Sequence, residues 1–377
     1  MILMIFNDRM NHFITLLVFT LISFIPLEAK VHLIGSLVLP LPKDCPDVPS
    51  DMVFDGSNGN QCLYVLNELE RRIDVFDLKD KSFRILELDP KPDYKISGIG
   101  AQGAKVFLYD YKNTIVYHYE NGHLINQYSV RQEEIIQGRR MIPYPFVQTL
   151  SPIKVFGETV IMTGFRPGES MRSPDIPEMA LCLLDLKSGR VINTVEMPDI
   201  YGKYNWGGGL TYRMPYFDLG PDGEVVCCFA ASDELTAYSL RTGRSRRVKA
   251  PSKHFGQITP YSKTNRESPT GGVEMAWYRD NPSYDGILFD PWREVYYRFA
   301  LLPERLDRRG SKDYYRKPVS IIVLDKNLQP IEETLLDEDV HFRPYCSFVS
   351  QDGLFLQVLT GDEDNMTFYQ FQYEKDS

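Results

Sequence analysis

The chain has 377 residues and a formal net charge of −9, which argues against nucleic acid or an anionic membrane as its main partner. Hydrophobic residues make up 43% of the sequence and charged residues 25%, a composition typical of a folded protein rather than a disordered one. Aromatic residues reach 12%, which favours β structure because flat side chains pack well on pleated sheets.

The first segment of the chain has the features of an export signal. Residues 13–25 form an uncharged apolar run, shorter than the roughly 20 residues that a membrane span needs. Residues 27–29 then resemble a small-residue cleavage site, so we predict a signal peptide over residues 1–29, with an uncleaved anchor as the alternative. No cysteine precedes Cys45, so a lipid anchor directly after the apolar run is not predicted. These features predict an exported protein of the periplasm or cell surface.

A single structural unit recurs along the rest of the chain. Each copy has two apolar strands joined by a short turn containing Gly, Asn or Asp, which is typical of a tight antiparallel hairpin. Five copies begin at Ile73, Ile115, Leu181, Leu235 and Ser320. An earlier apolar strand pair with its own tight turn precedes each copy, and no strong amphipathic helix pattern competes with the strands. Four-stranded meanders repeated around an axis are typical of a β-propeller.

The sixth unit is completed by the two ends of the chain. The C-terminal stretch from Gly353, "GLFLQVLTGDEDNMTFYQFQYE", ends with a third strand and lacks an outermost one. The strand from Lys30, "KVHLIGSLVLPLP", has the pattern of that missing strand. Joining the ends leaves no open sheet edge between the first and last blades. We therefore predict an all-β fold over residues 30–377: a single six-bladed β-propeller of four-stranded antiparallel blades, closed by the N-terminal strand.

The connections between strands are unequal in length. If the strands of each blade are named A to D from the axis outward, the A–B and C–D turns are short throughout. The long connections all join B to C or D to the next A, and they are residues 131–144, 164–179, 199–212, 253–284 and 302–318. They therefore share one face, the long-loop face, opposite a plain face of short turns. Long loops gathered at one end of a rigid scaffold are where binding usually occurs.

The aromatic stretch "DGILFDPWREVYYRF", residues 285–299, fits strand A, the A–B turn and strand B of blade five. The turn places Trp292 and Arg293 on the plain face. Both surfaces of a blade pack against neighbouring blades, so its aromatic residues are predicted to be mostly structural. Arg298 is the exception, because it points toward the long-loop face and a buried guanidinium needs a partner.

The six cysteines are far apart in the sequence and lie mostly in apolar strand patterns, so we predict buried free thiols. Adjacent Cys227 and Cys228 would point to opposite faces of one strand, which disfavours a shared metal site. Cys45 and Cys62 are the one pair whose positions favour a loop-to-strand disulfide.

Several of these stretches together resemble a known family. "DGILFDPWREVYYRF", "VVCCFAASDELTAYSLRTGRSRRVKAPSKHF", "KPVSIIVLDKNLQPIEETLL" and "FVSQDGLFLQV" are similar to domain-of-unknown-function family 4221 of the Bacteroidetes. The resemblance covers most of the chain after Lys30, and it implies an exported propeller of the cell envelope. It implies no activity. Many relatives look like lipoproteins, and the lack of a suitably placed cysteine here departs from that pattern.

Motifs for the common catalytic chemistries are absent. The sequence has no HExxH, no Gly-rich phosphate loop, no GxSxG and no paired CxxC, and six histidines do not indicate a dedicated metal site. No metal and no cofactor are predicted. The long-loop face instead collects Arg and aromatic residues, which are typical of binding hot spots and suit sugars or carboxylates. The candidate ligand-binding residues are Trp206, Tyr212, Arg213, Trp277, Arg298, Arg166 and Arg139.

Three functions remain open at this point. The favoured one is a non-catalytic module that binds a protein, peptide or glycan on the long-loop face. The alternative is a glycan-active enzyme, a hydrolase or lyase, that uses carboxylates such as Glu169, Asp175 or Asp280. A purely structural component of an envelope assembly is the third. A buried carboxylate pair beside a deep cleft near the axis would favour the enzyme, and a flat surface of aromatic and Arg residues would favour the binding module.

Overall fold

The computed structural model describes residues 31–91, 96–131, 134–136, 139–141, 145–164, 179–207, 211–264, 269, 271–305, 307 and 316–374. In this part of the chain, six four-stranded antiparallel sheets form a ring. The predicted six-bladed β-propeller is confirmed. The predicted signal peptide, residues 1–29, lies outside the described residues.

The strands follow the chain in blade order, except that β1 (Val31–Pro40) is the outermost strand of blade six. Blade one contains β2 (Met52–Asp55), β3 (Cys62–Asn67), β4 (Arg72–Asp77) and β5 (Phe83–Ile85). Blade two contains β6 (Gly98–Gln102), β7 (Lys105–Asp110), β8 (Ile115–Glu120) and β9 (His123–Ser129). A separate hairpin of β10 (Glu134–Ile136) and β11 (Arg139–Met141) follows.

Blade three contains β12 (Lys154–Phe156), β13 (Thr159–Thr163), β14 (Met179–Asp185) and β15 (Val191–Glu196). Blade four contains β16 (Pro215–Leu219), β17 (Glu224–Phe229), β18 (Glu234–Ser239) and β19 (Ser245–Lys249). Blade five contains β20 (Ser283–Asp290), β21 (Val295–Leu301), β22 (Val319–Leu324) and β23 (Pro330–Leu335). Blade six contains β24 (Phe342–Ser350), β25 (Gly353–Val358) and β26 (Asn365–Tyr373), and β1 completes it.

The ring is closed by strand pairing between the two ends of the chain. Strand β1 runs antiparallel to β26, from Val31 opposite Tyr373 to Pro40 opposite Asn365. Leu39 of β1 is completely buried and packs in an apolar cluster with residues of blades one and six. The closure predicted from the sequence is therefore present, with backbone pairing and a buried apolar contact at the same place.

Close approach of neighbouring blades explains the glycines of β6. A Cβ added at Gly98 would lie 2.3 Å from the Cβ of Val147, and one added at Gly100 would lie 2.4 Å from the carbonyl oxygen of Ile153. Real Cβ atoms do not approach other atoms so closely, because interiors are already packed to crystal density. Glycine at these positions lets the inner strand of blade two lie against the start of blade three.

Buried carboxylates tie the inner strands of different blades together. Asp51, before β2, accepts a hydrogen bond of 2.9 Å from the backbone N–H of Ile99 in blade two. Asp218 of blade four accepts one of 2.8 Å from the backbone N–H of Phe289 in blade five. Asp218 also lies 2.9 Å from the ammonium of Lys154 in blade three. The hydrogen bonds from Ile99 and Phe289 satisfy backbone N–H groups that are not paired with a strand of their own blade.

A helix that the sequence pattern does not predict occupies the connection between blades four and five. It spans Gly271–Asp280, and we call it the loop helix. Two glycines in its first turn weaken the helical signal in the sequence. Trp277 and Tyr278 lie on the side that packs against the core, so tertiary contacts stabilise the helix. A shorter helix, Ile200–Lys203, lies between blades three and four.

The aromatic hairpin of blade five is mostly core. Tyr296, Tyr297 and Phe299 are buried, whereas Trp292 in the A–B turn is 47% exposed on the plain face. This is the division that strand alternation predicts. Most of the stretch is therefore part of the core of blade five and does not form a binding surface.

All six cysteines lie in the described part of the chain and carry free thiols. The disulfide considered between Cys45 and Cys62 is not formed. The Cys45 thiol lies beside the Asp74 carboxylate, and burial together with that negative charge raises the pKa of Cys45 to about 12.

Candidate functional site

The long-loop face carries a cavity at the end of the propeller axis. The cavity has a volume of about 340 Å³, and residues before or within the inner strands of five blades contribute to its wall together with the loop helix. We call it the axial pocket. It is lined by Pro49, Ser50, Phe146, Gln148, Thr149, Thr211, Met214, Tyr216, Met275, Tyr278, Asp285, Arg343, Tyr345 and Cys346.

Backbone irregularities present the charged residues of the axial pocket. The pairing of β20 with β21 is interrupted between Tyr284 and Ile287, where Asp285 lies. Gly286 in this interruption has a φ of +85°, a conformation that favours glycine. The pairing of β24 with β25 is interrupted directly after Arg343. Such bulges re-aim side chains and are frequent beside functional sites.

Asp285 is the buried charge of the axial pocket. Its side chain lies within hydrogen-bonding range of the Tyr216 hydroxyl, and its residue is only 3% exposed. Its second carboxylate oxygen, Oδ2, has no hydrogen-bond partner among the described residues. Burial raises the pKa of Asp285 to about 6, although the Tyr216 hydrogen bond and the nearby Lys317 oppose the rise. A carboxylate held in this way is able to accept a hydrogen bond from a ligand.

Lys317 is the cation that stabilises the negative charge of Asp285, and its own donors bond to other groups of the protein. Its Nζ donates to the carbonyl oxygens of Asn281, at 2.7 Å, and Tyr278, at 3.2 Å, and to the hydroxyl of Ser283, at 3.0 Å. It also lies 4.0 Å from the centroid of the Tyr278 ring. Burial lowers the pKa of Lys317 to about 7. The lysine thus fastens the C-terminal end of the loop helix to β20.

Arg343 is the other charged residue of the axial pocket. Its guanidinium lies 5.2 Å from the centroid of the Tyr345 ring, a cation–π contact. Arg343 also lines a neighbouring cavity of about 210 Å³, which shares Tyr278 and Tyr345 with the axial pocket. Among the described residues, no hydrogen bond or ion pair engages this guanidinium. Asp285 and Arg343 therefore face one pocket without neutralising each other.

Three of the residues predicted from the sequence are brought together beside the axial pocket. The Trp206, Tyr212 and Trp277 rings are neighbours, with centroids 5.9 Å, 6.4 Å and 4.4 Å apart in pairs. Trp206 and Tyr212 are buried, so they form a packed layer and not an open platform. Tyr212 meets the Tyr278 ring edge-on, at 5.4 Å between centroids. The predicted cluster therefore supports the tyrosine that lines the pocket.

The other predicted residues lie elsewhere. Arg213 is only 3% exposed, and Arg298 is completely buried between blades four and five. Arg139 belongs to strand β11, but its side chain lies outside the described residues. Arg166, Glu169 and Asp175 also lie outside the described residues. Asp280 ends the loop helix and is exposed.

The sequence pattern did not identify Asp285 and Arg343, but weak signals for both exist. Asp285 precedes Gly286 at the start of an apolar strand, and an isolated glycine in a strand indicates a bulge. Arg343 precedes Pro344 inside another strand pattern, and proline has the same meaning there. Both bulges place a charge at the axis, which only the ring geometry shows.

The described residues show neither a metal-ligand cluster nor a membrane-spanning helix. Across the described ranges, no three His, Cys, Asp or Glu side chains are grouped to hold a metal ion. No helix in the described part of the chain has the length and apolar character to cross a bilayer.

The fold and the cavity define a six-bladed β-propeller with a pocket of mixed polar and apolar lining at one end of its axis. The chain belongs to the family described as Domain of unknown function (DUF4221), whose family model matches residues 34–335. The resemblance seen in the sequence motifs is confirmed.

Two solved structures from Bacteroides species are similar to this chain. A DUF4221 family member from Bacteroides vulgatus is 19% identical, covers 92% of this chain and 99% of its own, and has a TM-score of 0.73. A putative exported protein from Bacteroides fragilis is 12% identical, covers 93% of this chain and 98% of its own, and has a TM-score of 0.55. At these identities the similarity concerns the fold alone. No curated protein matches the sequence.

Proposed function

We propose that this protein is an exported binding protein that takes a small polar group, from a glycan or a peptide, into the axial pocket. The observation that carries the proposal is the buried Asp285 carboxylate, which lines the pocket and has one oxygen, Oδ2, without a hydrogen-bond partner among the described residues. An unpaired buried acceptor costs about 1–3 kcal/mol, and a ligand donor would relieve that penalty. Convergent polar groups in a concave site of about 340 Å³ support ligand binding.

The walls of the axial pocket suit a small ligand with both polar and flat apolar surfaces. The rings of Tyr216, Tyr278 and Tyr345 line it, with Gln148 as a further hydrogen-bonding group. Its volume corresponds to roughly eleven water molecules, the size of one sugar ring or one amino acid. A larger glycan or peptide would place one unit here and the rest over the long loops. Arg139 and Arg166 remain candidate contacts of that second kind.

Export is supported by the N-terminal sequence. The apolar run of residues 13–25 and the small-residue site after it are the features of a signal peptide. The Bacteroides fragilis protein with the same fold is itself described as exported. Periplasm and cell surface are both compatible with this proposal, and so is an uncleaved anchor.

The experiment that tests the proposed pocket is calorimetric titration of the purified protein with neutral monosaccharides, uronic acids, amino acids and dipeptides. Binders are then compared between the wild type, Tyr345→Ala and Trp292→Ala. These two aromatic residues have similar exposure, 37% and 47%, but lie on opposite faces. We expect at least a tenfold loss of affinity for Tyr345→Ala and none for Trp292→Ala. If no ligand binds, or if both variants bind as well as the wild type, the axial pocket is not the binding site.

A glycan-active enzyme is the second candidate, because the pKa of Asp285 is raised to about 6, into the range that suits proton transfer near neutral pH. Asp285 is the one carboxylate among the described residues that line the axial pocket, so hydrolysis by a carboxylate pair is not supported there. A lyase with a single base fits better. The test is product analysis after incubation with each glycan that binds. Turnover that disappears in Asp285→Asn, while binding persists, would establish catalysis.

A further inference from the structure

We propose that the axial pocket recognises a zwitterion of amino-acid size, with its carboxylate bound by Arg343 and its ammonium group bound by Asp285. The proposal rests on the binding function proposed for this pocket and specifies the ligand class. Its basis is an unusual arrangement: two opposite charges face one cavity, and each keeps bonding capacity that no described residue uses.

Arg343 supplies the group that would bind the ligand carboxylate. A guanidinium is planar and binds carboxylates through two parallel hydrogen bonds, so its preferred partner is a carboxylate. The protein has more acidic than basic residues, 51 against 42, yet no described carboxylate pairs with Arg343. Its side chain makes a cation–π contact with Tyr345 and acts electrostatically on the Cys346 thiol, and no acceptor among the described residues takes its N–H donors. A ligand carboxylate would complete the coordination of this side chain.

Asp285 supplies the group that would bind the ligand ammonium group. The groups that stabilise its negative charge are the Tyr216 hydroxyl and Lys317, and Arg343 is not among them. Lys317 directs its donors to Tyr278, Asn281 and Ser283. The Oδ2 oxygen of Asp285 is therefore buried without a donor from any described residue. A ligand ammonium group supplies both the donor and the opposite charge.

Irregular strand pairing adjoins both charged residues. Asp285 and Arg343 lie on the neighbouring inner strands β20 and β24, and each strand leaves regular pairing beside its charged residue. No ion pair within 4.0 Å joins the two side chains, although both are described and both line the same cavity. Tyr216, Tyr278 and Tyr345 line the same cavity as the two charged residues.

The experiment is calorimetric titration of the purified wild-type protein with each of the common L-α-amino acids at pH 7. The best binder is then compared with its amine, which lacks the carboxylate, and with its deaminated acid, which lacks the ammonium group. The pocket variants are Arg343→Met and Asp285→Asn. Their matched controls are Arg244→Met, an exposed arginine of blade four, and Asp290→Asn, a buried carboxylate at the opposite end of β20.

We expect one or more amino acids to bind, with at least a tenfold loss of affinity in each pocket variant and unchanged affinity in each control. Each analogue should bind at least tenfold more weakly than the amino acid. Arg343→Lys keeps the charge but lacks the planar fork, so its affinity should fall between those of the wild type and Arg343→Met. Thermal unfolding of every variant shows whether a loss of binding is a loss of folding.

Two results would overturn the inference and leave the axial pocket as a binding site. One is a neutral monosaccharide that binds the wild type and Arg343→Met equally while Tyr345→Ala loses it. The other is an amino acid whose amine or deaminated acid binds as tightly as the zwitterion. Absence of binding by every amino acid at millimolar concentration also rejects the zwitterion, and the broader ligand set then decides whether the pocket binds anything.

Discussion

The guanidinium carbon of Arg298 lies 3.6 Å from the centroid of the Tyr284 ring, in a completely buried stack at the boundary of blades four and five. The same guanidinium donates to the carbonyl oxygens of Ser232, at 2.5 Å, Ala250, at 2.6 Å, and Asp233, at 3.1 Å. All of these acceptors lie at the ends of strands in blade four. The Asp233 carbonyl also accepts from the backbone N–H of Ala250, whereas Arg298 is the described donor to the Ser232 and Ala250 carbonyl groups, and it joins two blades.

Removal of this arginine should destabilise the propeller strongly. We expect Arg298→Met to lower the free energy of unfolding by about 3 kcal/mol, because two buried carbonyl groups, those of Ser232 and Ala250, lose their described donor. Arg244→Met is the matched control, and its exposed position should limit the change to about 0.5 kcal/mol. Denaturant titration of both variants measures the difference. Equal stability of the two would show that Arg298 is not a structural joint.

The ring architecture could be predicted from the sequence because it repeats. Turn residues recur at a fixed distance from apolar strands, and that periodicity survives even where the outermost strand of blade six comes from the N-terminus. The loop helix was missed because its first two residues are glycines and its stability comes from Trp277 and Tyr278 packing on the core. Contacts of this kind join residues far apart in the sequence, and local propensity does not report them.

The axial pocket was harder to predict for a different reason. Trp206, Tyr212 and Trp277 were identified as a group because Trp and Tyr are conspicuous, and they do lie together. Their burial could not be read from composition, because a platform and a packed layer use the same residue types. Asp285 and Arg343 are ordinary charged residues in strand patterns, and only two bulges on neighbouring inner strands make them neighbours of one cavity.

Asp51 should make stability depend on pH. Burial raises its pKa from the ordinary value of 3.8 to about 8, so the folded protein holds this proton more tightly than the unfolded chain does. A raised pKa in the folded state contributes stability that is complete below about pH 4 and is lost as the pH rises through about 8. Asn cannot ionise and has nearly the same shape. The stability of Asp51→Asn relative to the wild type should therefore increase steadily from pH 5 to pH 8.5.

Paired denaturant titrations of the wild type and Asp51→Asn across this pH range measure the effect. All other titrating groups are present in both proteins, so the difference between the proteins isolates Asp51. A difference that stays constant with pH would mean that Asp51 has an ordinary pKa in the folded protein.

The contact between Gly98 and Val147 should behave as a steric pair. An alanine Cβ at position 98 would lie 2.3 Å from the Val147 Cβ, so Gly98→Ala should lower the free energy of unfolding by about 1–3 kcal/mol or more. Combined with Val147→Gly, which also removes buried apolar area, the total loss should be smaller than the sum of the two single losses. Gly202→Ala is the control, because an added Cβ there meets no atom within 4 Å. A double-mutant cycle gives the coupling energy, and a value near zero would contradict the close approach of blades two and three.

Ligand binding at the axial pocket should weaken in acid. The pKa of Asp285 is raised to about 6, so protonation below that pH removes the charge that we propose to hold an ammonium group. Lys317, whose pKa is lowered to about 7, is mostly charged below pH 6.5. The Kd of the best-binding amino acid should therefore rise from about pH 6.5 to about pH 4.5, by up to roughly tenfold per pH unit below the pKa. Titration calorimetry across this window is the measurement, and Asp285→Asn should show no such dependence.

Closure of the ring should depend on single apolar contacts of β1. Leu39 is completely buried among residues of blades one and six, whereas Leu33 of the same strand is 55% exposed. Leu39→Ala should lower the free energy of unfolding by about 2–5 kcal/mol, because it removes buried apolar area and leaves a cavity. Leu33→Ala makes the same chemical change on the same strand and should alter stability by about 0.5 kcal/mol at most. Denaturant titration compares the two variants. Similar stabilities would mean that β1 contributes backbone pairing alone, and that the N-terminal strand is not anchored in the core of the last blade.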